Sequence, residues 1–465
     1  MKRYDLVVVG AGSGGFAAAR VATGYGKKVA LIDKGPFGGL CILKGCMPSK
    51  TLLRSSELAY LAGTSKELGI GVQGLTLDYP GIISRKNKII KGFADYRWEE
   101  VRSNPRIAFI EGAAQFRSPG EVQVGAKVIQ GDRFVISTGS SVFIPPIPGL
   151  RETGFITSDE ALERIDLPRS LAVLGGGAVA LELGQHFSRM GVKVSIFERR
   201  NSLLSREDGD IGLALAGYLR EEGMEVYTNV VFERISSDGT LKQVEARVDG
   251  RPIRFKAEEI LVATGRQAAL EKLNLEAAGV AYTPKGVIVN EEMRTSAPSI
   301  FAVGDATGIY QLTHVAVYQG EIAGHNAFSH AKRKADYRVV PQIIFTDPTF
   351  AKVGMTEREA REKGLEVIVA AYPFDDLGKA ICTGQTKGYV KMLADAGSGE
   401  ILGVHLLGPE GASLIYGMTV AMRFRATVQQ LLEIPHFHPT LSEIFIYPAE
   451  EIARKLSRTK QKEVD

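Results

Sequence analysis

At 465 residues the chain is long enough for about three domains, and 45% hydrophobic with 24% charged content fits large packed cores and excludes a disordered chain. A net charge of +4, from 57 basic and 53 acidic residues, contains no single-sign block long enough for a nucleic-acid stripe apart from the short tail around Lys460–Lys462. A small-molecule partner and no nucleic acid are therefore expected.

The chain enters an apolar strand, YDLVVVG, within four residues of its start. That leaves no room for a signal peptide, and no apolar run nears the ~18 residues of a membrane span, so a cytoplasmic protein with no membrane contact is expected. The strand runs through Gly10, Gly12 and Gly15 into an Ala-rich helix, and a second strand ends at Asp33, 23 residues after Gly10. The first glycine permits a tight turn, the second lets backbone approach a diphosphate, and the third lets helix and strand pack closely. The acid then accepts hydrogen bonds from a ribose, so this is a dinucleotide site.

Residues 38–50 read GGLCILKGCMPSK, placing two of the three cysteines, Cys41 and Cys46, directly after that unit; Cys382 stands apart. In a reducing cytosol such a pair points to catalysis, redox sensing or metal binding rather than a structural staple. A regular helix would hold the two Cα atoms about 7.5 Å apart along its axis, beyond the ~7 Å a disulfide spans, so a bond needs an irregular backbone. Gly45 and Pro48 supply one, and Gly38 and Gly39 leave room for a flat cofactor. The metal alternative, Cys41 and Cys46 with His436 and His438, matches no zinc spacing. Two inert packed thiols would need no glycine pair.

The proline-rich FIPPIPGL at 143–150 introduces a second copy of the nucleotide pattern, with Gly175, Gly177 and Ala180 at the fingerprint positions and Glu198 again 23 residues after the first glycine. Two dinucleotides and a cysteine pair suggest an electron relay from a nicotinamide through a flavin to sulfur. LVATGR at 261–266 closes the second copy, SIFAVGDAT follows at 299–307, and from about residue 341 shorter β-rich runs precede a helix and HFHPTLSEIF, a separate α+β domain.

The stretches GAGSGG, GGLCILKGCMPSK, ISTGS, GGGAVALELG, ATGR, FAVGDAT, IIFTDPTFAKVGMTE and HPTLSE stand in the order and spacing of one family. Along essentially its whole length the chain resembles the class I pyridine nucleotide-disulfide oxidoreductases, nearest in pattern to dihydrolipoamide dehydrogenase. The fold class implied is α/β, with two Rossmann-like dinucleotide-binding domains and a C-terminal α+β dimerisation domain. The segments would be an FAD-binding domain over 1–145, an NAD(P)-binding domain over 146–266, a central domain completing the FAD site over 267–338, and a dimerisation domain over 339–465.

The resemblance makes Cys41 the thiol that attacks substrate and Cys46 the thiol against the flavin. Lys50 and Glu182 become the ion pair beside the flavin, and His438 with Glu443 the base and its orienting acid. Pro439 is expected in the first turn of the helix that starts there. FAD would be held by Gly10, Gly12, Gly15, Asp33, Lys50, Asp305 and backbone at Ala114 and Thr313, and the nicotinamide cofactor by Gly175, Gly177, Glu198 and Gly265. NAD(H) is favoured because Glu198 repels a 2′-phosphate, while Arg199, Arg200 and Arg206 keep NADP(H) open. The implied assembly is a homodimer with shared active sites, acting on a small disulfide or dithiol, with a lipoyl-bearing multienzyme complex as a further partner.

Departures from the family pattern are Leu40 and Leu43 in the cysteine motif, GRQAAL after ATG, and IFIYPAEEI after HPTLSE. The tail KLSRTKQKEVD lacks the cysteine pair of mercuric reductases and of large thioredoxin reductases. Both branches are therefore disfavoured. A flavin NAD(P)H oxidase or transhydrogenase is the alternative outside disulfide chemistry, and it would lack one of the two cysteines.

Overall fold

Residues 2–462 are described by a computed structural model, the side chains only as far as residue 458, so the basic tail at Lys460–Lys462 lies outside the described side chains. Two compact units emerge, each gathered from separated stretches. The first takes the chain up to Pro145, then Ile156–Leu167 and Ala263–Asp336; the second takes Pro146–Phe155, Pro168–Val262 and the chain from Tyr337 onward.

In the first unit, β1 (Arg3–Val9), α1 (Ser13–Gly24) and β2 (Val29–Asp33) are followed by α2 (Gly39–Leu43), α3 (Cys46–Thr64), α4 (Tyr79–Arg102) and β3 (Ile107–Glu111). A meander, β4 (Ala114–Ser118), β5 (Glu121–Val124) and β6 (Lys127–Ile136), completes the sheet in the order β3-β2-β1-β6-β5-β4. Leu6, Val7 and Val8 are fully buried, which is why β1 reads as an unbroken apolar run: a central parallel strand is covered on both faces. Strand Ile300–Ala302 pairs in parallel with the end of β6, so chain from after residue 262 completes this sheet.

Helix Thr313–Phe328 lies against α1 so closely that a Cβ on Gly320 would sit 2.2 Å from the Gly14 carbonyl oxygen. Small residues at that crossing fix the glycine-turn helix over the sheet.

In the second unit four parallel strands run in the order Glu225–Tyr227, Lys193–Phe197, Ser170–Leu174, Glu259–Val262. A three-stranded antiparallel sheet follows between Val230 and Ala257. The C-terminal part is a five-stranded antiparallel sheet, ordered Gln342–Ile344, Thr349–Gly354, Ile401–Gly408, Tyr389–Asp395, Val367–Pro373. Its core joins Val353, Met392, Val404 and Leu406 to Ile415, Met418 and Ile452 on helices Gly411–Arg423 and Ile446–Lys462.

The borders between the two units have local causes. One falls between Pro145 and Pro146, inside the proline-rich crossover, and another between Val262 and Ala263. The second has a simple cause: Glu259–Val262 pairs with Ser170–Leu174 in the second unit, whereas Arg266–Ala268 pairs antiparallel with Ser140–Val142 in the first. The return of 156–167 to the first unit had no sequence signal, although Lys86, fully buried on α4, reaches back to Glu163 at 2.7 Å. Among the described residues no helix is long and apolar enough to cross a membrane.

Candidate functional site

Gly10 turns the chain at φ +105°, and Gly12 caps α1 with no side-chain hydrogen bond; no acidic residue stands in the helix's first turn. A Cβ on Gly12 would meet nothing within 4 Å, whereas one on Gly15 would lie 2.0 Å from the Gly10 carbonyl. The first glycine of that pair faces open space with free helix N–H groups behind it, and the second is packing. Such a cradle suits a diphosphate, so the residues present fit FAD. Asp33 ends β2 with Oδ2 accepting from the Ala11 N–H at 2.7 Å and Oδ1 from the Gly35 N–H at 2.8 Å. The carboxylate is thereby fixed beside the turn, with lone pairs left for a ribose.

The second copy repeats this plan. Gly177 caps helix Ala178–Arg189 without a side-chain bond, its Cβ position is open, and Gly175 turns at φ +119°. Glu198 Oε1 accepts from the Arg200 N–H at 2.7 Å, which holds the acid at the end of strand Lys193–Phe197.

Between α2 and α3 the helix breaks at Lys44 and Gly45, as the cysteine spacing required. A Cβ on Gly45 would stand 2.9 Å from the Leu40 carbonyl oxygen and 3.3 Å from Cys41 Cα, so the fold back of one cysteine toward the other depends on glycine there. Gly39, at φ +72°, approaches Gly12 so closely that its Cβ would lie 2.6 Å from Gly12 Cα. The cysteine loop therefore rests directly on the nucleotide turn.

The Cys41 thiol is pushed far above its ordinary value, first by its hydrogen bond with Cys46, then by burial and by charge on Cys46, with Thr313 opposing. The reduced pair thus keeps a proton on Cys41. Cys46 opens α3, whose N-cap Gly45 makes no side-chain bond, and its Sγ lies 3.3 Å from the Thr313 hydroxyl. Helix N–H groups and a hydroxyl both favour a thiolate at that sulfur. Lys50 lies one turn further along α3.

Asp305 sits in the 3-10 turn Gly304–Thr307 and accepts from Ser140 Oγ at 2.6 Å; Arg266 donates to Ser140 through Nε and through Nη2 to its carbonyl, both at 2.8 Å. Burial raises the Asp305 carboxyl above its usual range, against the Ser140 bond and the Arg266 charge. Ala114 opens β4 in the core of the same unit. Gly265 holds φ +116° and its carbonyl accepts from the Phe143 N–H at 2.9 Å.

In the second unit Glu182, buried on helix Ala178–Arg189, accepts from the Phe345 N–H at 3.0 Å. His438 Nδ1 is 2.9 Å from Glu443 Oε1, while Glu443 Oε2 accepts from the Thr440 N–H at 2.7 Å. Burial works to raise the Glu443 carboxyl, but the Thr440 N–H and then His438 outweigh it and hold it below the usual carboxylate value. The carboxylate stays charged and engages Nδ1 of the 77% exposed imidazole, which leaves Nε2 for other partners.

Pro439 does not occupy a first helical turn. Thr440 is the N-cap, and a 3-10 turn, Leu441–Phe445, precedes helix Ile446–Lys462, because Glu443 closes a capping box on Thr440. His436 is tied to its own loop through the Leu431 carbonyl at 3.1 Å.

Sequence reading did not reach the Thr313 hydroxyl on Cys46, the Ser140 and Arg266 support of Asp305, or the Phe345 bond to Glu182. Ser140 and Arg266 were visible only as members of ISTGS and ATGR; nothing in the sequence marked Phe345, whose contribution is backbone.

Residues 4–320 match the family described as pyridine nucleotide-disulphide oxidoreductase, and residues 340–448 match its dimerisation domain. The chain belongs to the pyridine nucleotide-disulphide oxidoreductase family. It is 34% identical over 441 residues to a mercuric reductase of Bacillus cereus, spanning 95% of this chain and 70% of that protein. To a dihydrolipoyl dehydrogenase of Chlamydia muridarum it is 33% identical over 448 residues, 95% of each chain. The HOCl-induced flavoprotein disulfide reductase RclA from Escherichia coli, solved as a Cu(II) complex, superposes with a TM-score of 0.87 at 30% identity over 97% of this chain and 100% of that one. The chain is accordingly an FAD-dependent disulfide oxidoreductase that works with NAD(P)H and carries a homodimerisation domain.

Proposed function

We propose that the chain moves electrons between NAD(H) and a small disulfide or dithiol of the lipoyl kind through the Cys41–Cys46 pair. The observation that carries this reading is the division of labour between the sulfurs: Cys46 at the head of α3 beside Thr313, and Cys41 holding the proton. Bound FAD supplies the two-electron carrier between nicotinamide and sulfur. In the reductive direction the reduced pair attacks through Cys41, a substrate sulfur leaves as thiolate, and Cys46 then displaces the second sulfur as the Cys41–Cys46 bond forms. His438, held in one tautomer by Glu443, takes the Cys41 proton on Nε2 as that sulfur attacks and passes it to the first departing thiolate, the second thiolate taking its proton from solvent. Lys50 and Glu182 supply the charges the family places beside the cofactor, with Phe345 fixing the carboxylate.

NAD(H) is favoured because Glu198 is a carboxylate locked at the end of its strand, where a 2′-phosphate would be repelled. The base of one subunit is assigned to the thiols of the other, and lipoyl-bearing complexes are included as carriers of the substrate.

The test is anaerobic reduction with NADH. A long-wavelength thiolate-to-flavin band should survive Cys41→Ser and vanish in Cys46→Ser; loss of the band in both variants alike would sink the assignment. Turnover of lipoamide, lipoic acid and other disulfides with each nicotinamide cofactor then reads the substrate. Full flavin reduction with no lipoyl turnover would remove that part of the reading.

A further inference from the structure

Glu182, Gln185 and Arg189 share one face of helix Ala178–Arg189, since steps of three and four residues stack side chains along a helix. The stripe runs beside the turn 345–348, which joins strands Gln342–Ile344 and Thr349–Gly354 of the C-terminal sheet. Each member of the stripe grips the turn at a different atom. Glu182 accepts from the Phe345 N–H at 3.0 Å. Gln185 holds both sides of Asp347: its Oε1 accepts from the Asp347 N–H at 2.8 Å, and its Nε2 donates to the Asp347 carbonyl at 2.7 Å. Arg189 Nη2 donates to the Asp347 carboxylate at 2.8 Å.

The far end of the stripe is anchored. Arg189 also meets Glu222, which follows helix Gly209–Glu221, through Nε at 2.9 Å and Nη2 at 2.8 Å, and these two side chains are only 5% and 4% exposed. Gln185 Nε2 stands 3.2 Å from both Glu222 oxygens. The turn is stiffened from within: buried Thr346 donates from Oγ1 to the Pro348 carbonyl at 2.8 Å, and Thr349 Oγ1 donates to the Thr346 carbonyl at 3.0 Å. Taking a guanidinium and a carboxylate out of water costs about as much as their attraction returns, so such a pair adds little net stability. What it does is hold one geometry. A shift of the turn at Asp347 is carried two residues back to Phe345, and from there to the Glu182 carboxylate.

We propose that Arg189, braced by Glu222 and acting with Gln185 on Asp347, is a positioning residue that sets the Glu182 carboxylate for hydride transfer from the nicotinamide cofactor. Gly177 caps the same helix, so the nucleotide cradle and the stripe belong to one rigid element. This rests on the reading of Glu182 as the carboxylate beside the cofactor and adds what fixes it there.

The test is the rate of flavin reduction by NADH in the holoenzyme, followed anaerobically by stopped flow through a double-mutant cycle. Glu182→Gln and Arg189→Met should each lower the limiting rate about tenfold, with the half-saturating NADH concentration changed less than about twofold, and the double variant should be no slower than Glu182→Gln alone. Arg189→Lys keeps the charge without the two-pronged contact to Glu222 and should fall between Arg189→Met and the wild type. Additive losses, or a wild-type rate in Arg189→Met, overturn the proposal and leave the role of Glu182 standing. A wild-type rate in Glu182→Gln removes both. A second readout needs no turnover: hydrogen exchange at the Phe345 and Asp347 amides should be several-fold faster in Arg189→Met, and unchanged exchange there also overturns the proposal. If Arg189→Met does not fold, Asp347→Asn, whose side chain is 54% exposed, takes its place and is judged by the same rates, the same non-additivity with Glu182→Gln and the same amides.

Discussion

Gly39 and His405 show how much a single position decides. An alanine at Gly39 would need φ +72° and would put its Cβ 2.6 Å from Gly12 Cα, backbone that cannot turn aside. Gly39→Ala should therefore cost about 1–3 kcal/mol and loosen the nucleotide turn. Flavin content of the purified variant and its thermal midpoint check this, and a fully flavinated protein of wild-type stability contradicts it. His405 is fully buried with Nε2 2.8 Å from the Met355 carbonyl, so Nε2 carries the proton and Nδ1 is bare and unpartnered. Burial lowers its pKa to about 4; Lys352 and Lys391 add to that, while the Met355 bond and Asp208 oppose it. The unfolded chain takes up a proton near pH 6.5 and the folded one near 4, so the contribution is complete above the first value and lost as pH falls toward the second. The whole window is worth roughly 3 kcal/mol. Neighbouring Glu207, raised by burial, contributes with the opposite sign. Between pH 7 and pH 5 the thermal midpoint should fall further in the wild type than in His405→Gln, and parallel curves would refute the claim.

Elements are joined by the same kind of buried charge. Asp208 precedes helix Gly209–Glu221, yet its carboxylate accepts from the Glu357 and Arg358 N–H groups at the head of helix Glu357–Glu362. Lys391, on strand Tyr389–Asp395, contacts Asp208, Asp210 and Glu357 at 3.0–3.2 Å. Its ammonium compensates carboxylates from two helices, so Lys391→Met should destabilise by roughly 3 kcal/mol, more than Asp210→Asn alone, as read by denaturant midpoints. None of this was legible in sequence, because the partners are brought together by tertiary structure and each looks like an ordinary surface charge. The nucleotide units were legible because their constraints are local. A glycine turn, a helix head and an acid at the end of the next strand all belong to one βαβ stretch. The cysteine loop was legible for a related reason, since the helix could not continue through Gly45 and still bring the sulfurs together. Pro439 was misplaced by one local rule, proline in the first turn, which gave way to another, the Thr440–Glu443 capping box.

For the whole molecule, the dimerisation domain and the proposed sharing of sites make a prediction that needs two defective proteins. Cys41→Ser and His438→Ala should each be inactive, and subunit exchange between them should restore about a quarter of wild-type activity at equal mixing. In the hybrid dimer one site carries both lesions and the other neither. If exchange is demonstrated and activity stays absent, His438 does not serve the second chain. The family pattern gave the order of the parts but not their grouping into two units, since motif spacing says nothing of a strand such as Ile300–Ala302 joining a sheet begun at residue 3. That grouping bears on how the protein is made. During synthesis the chain up to Pro145 emerges without the strand that flanks β6 or the helix that covers α1, and both arrive only after most of the second nucleotide unit has been translated. The first half must wait on the ribosome with an open sheet edge, while the segment between 168 and 262 has a parallel sheet that closes within itself. The second nucleotide unit, though later in sequence, is thus the part positioned to finish its sheet first, and truncation anywhere before residue 328 leaves the first unit without the complete helix that covers α1.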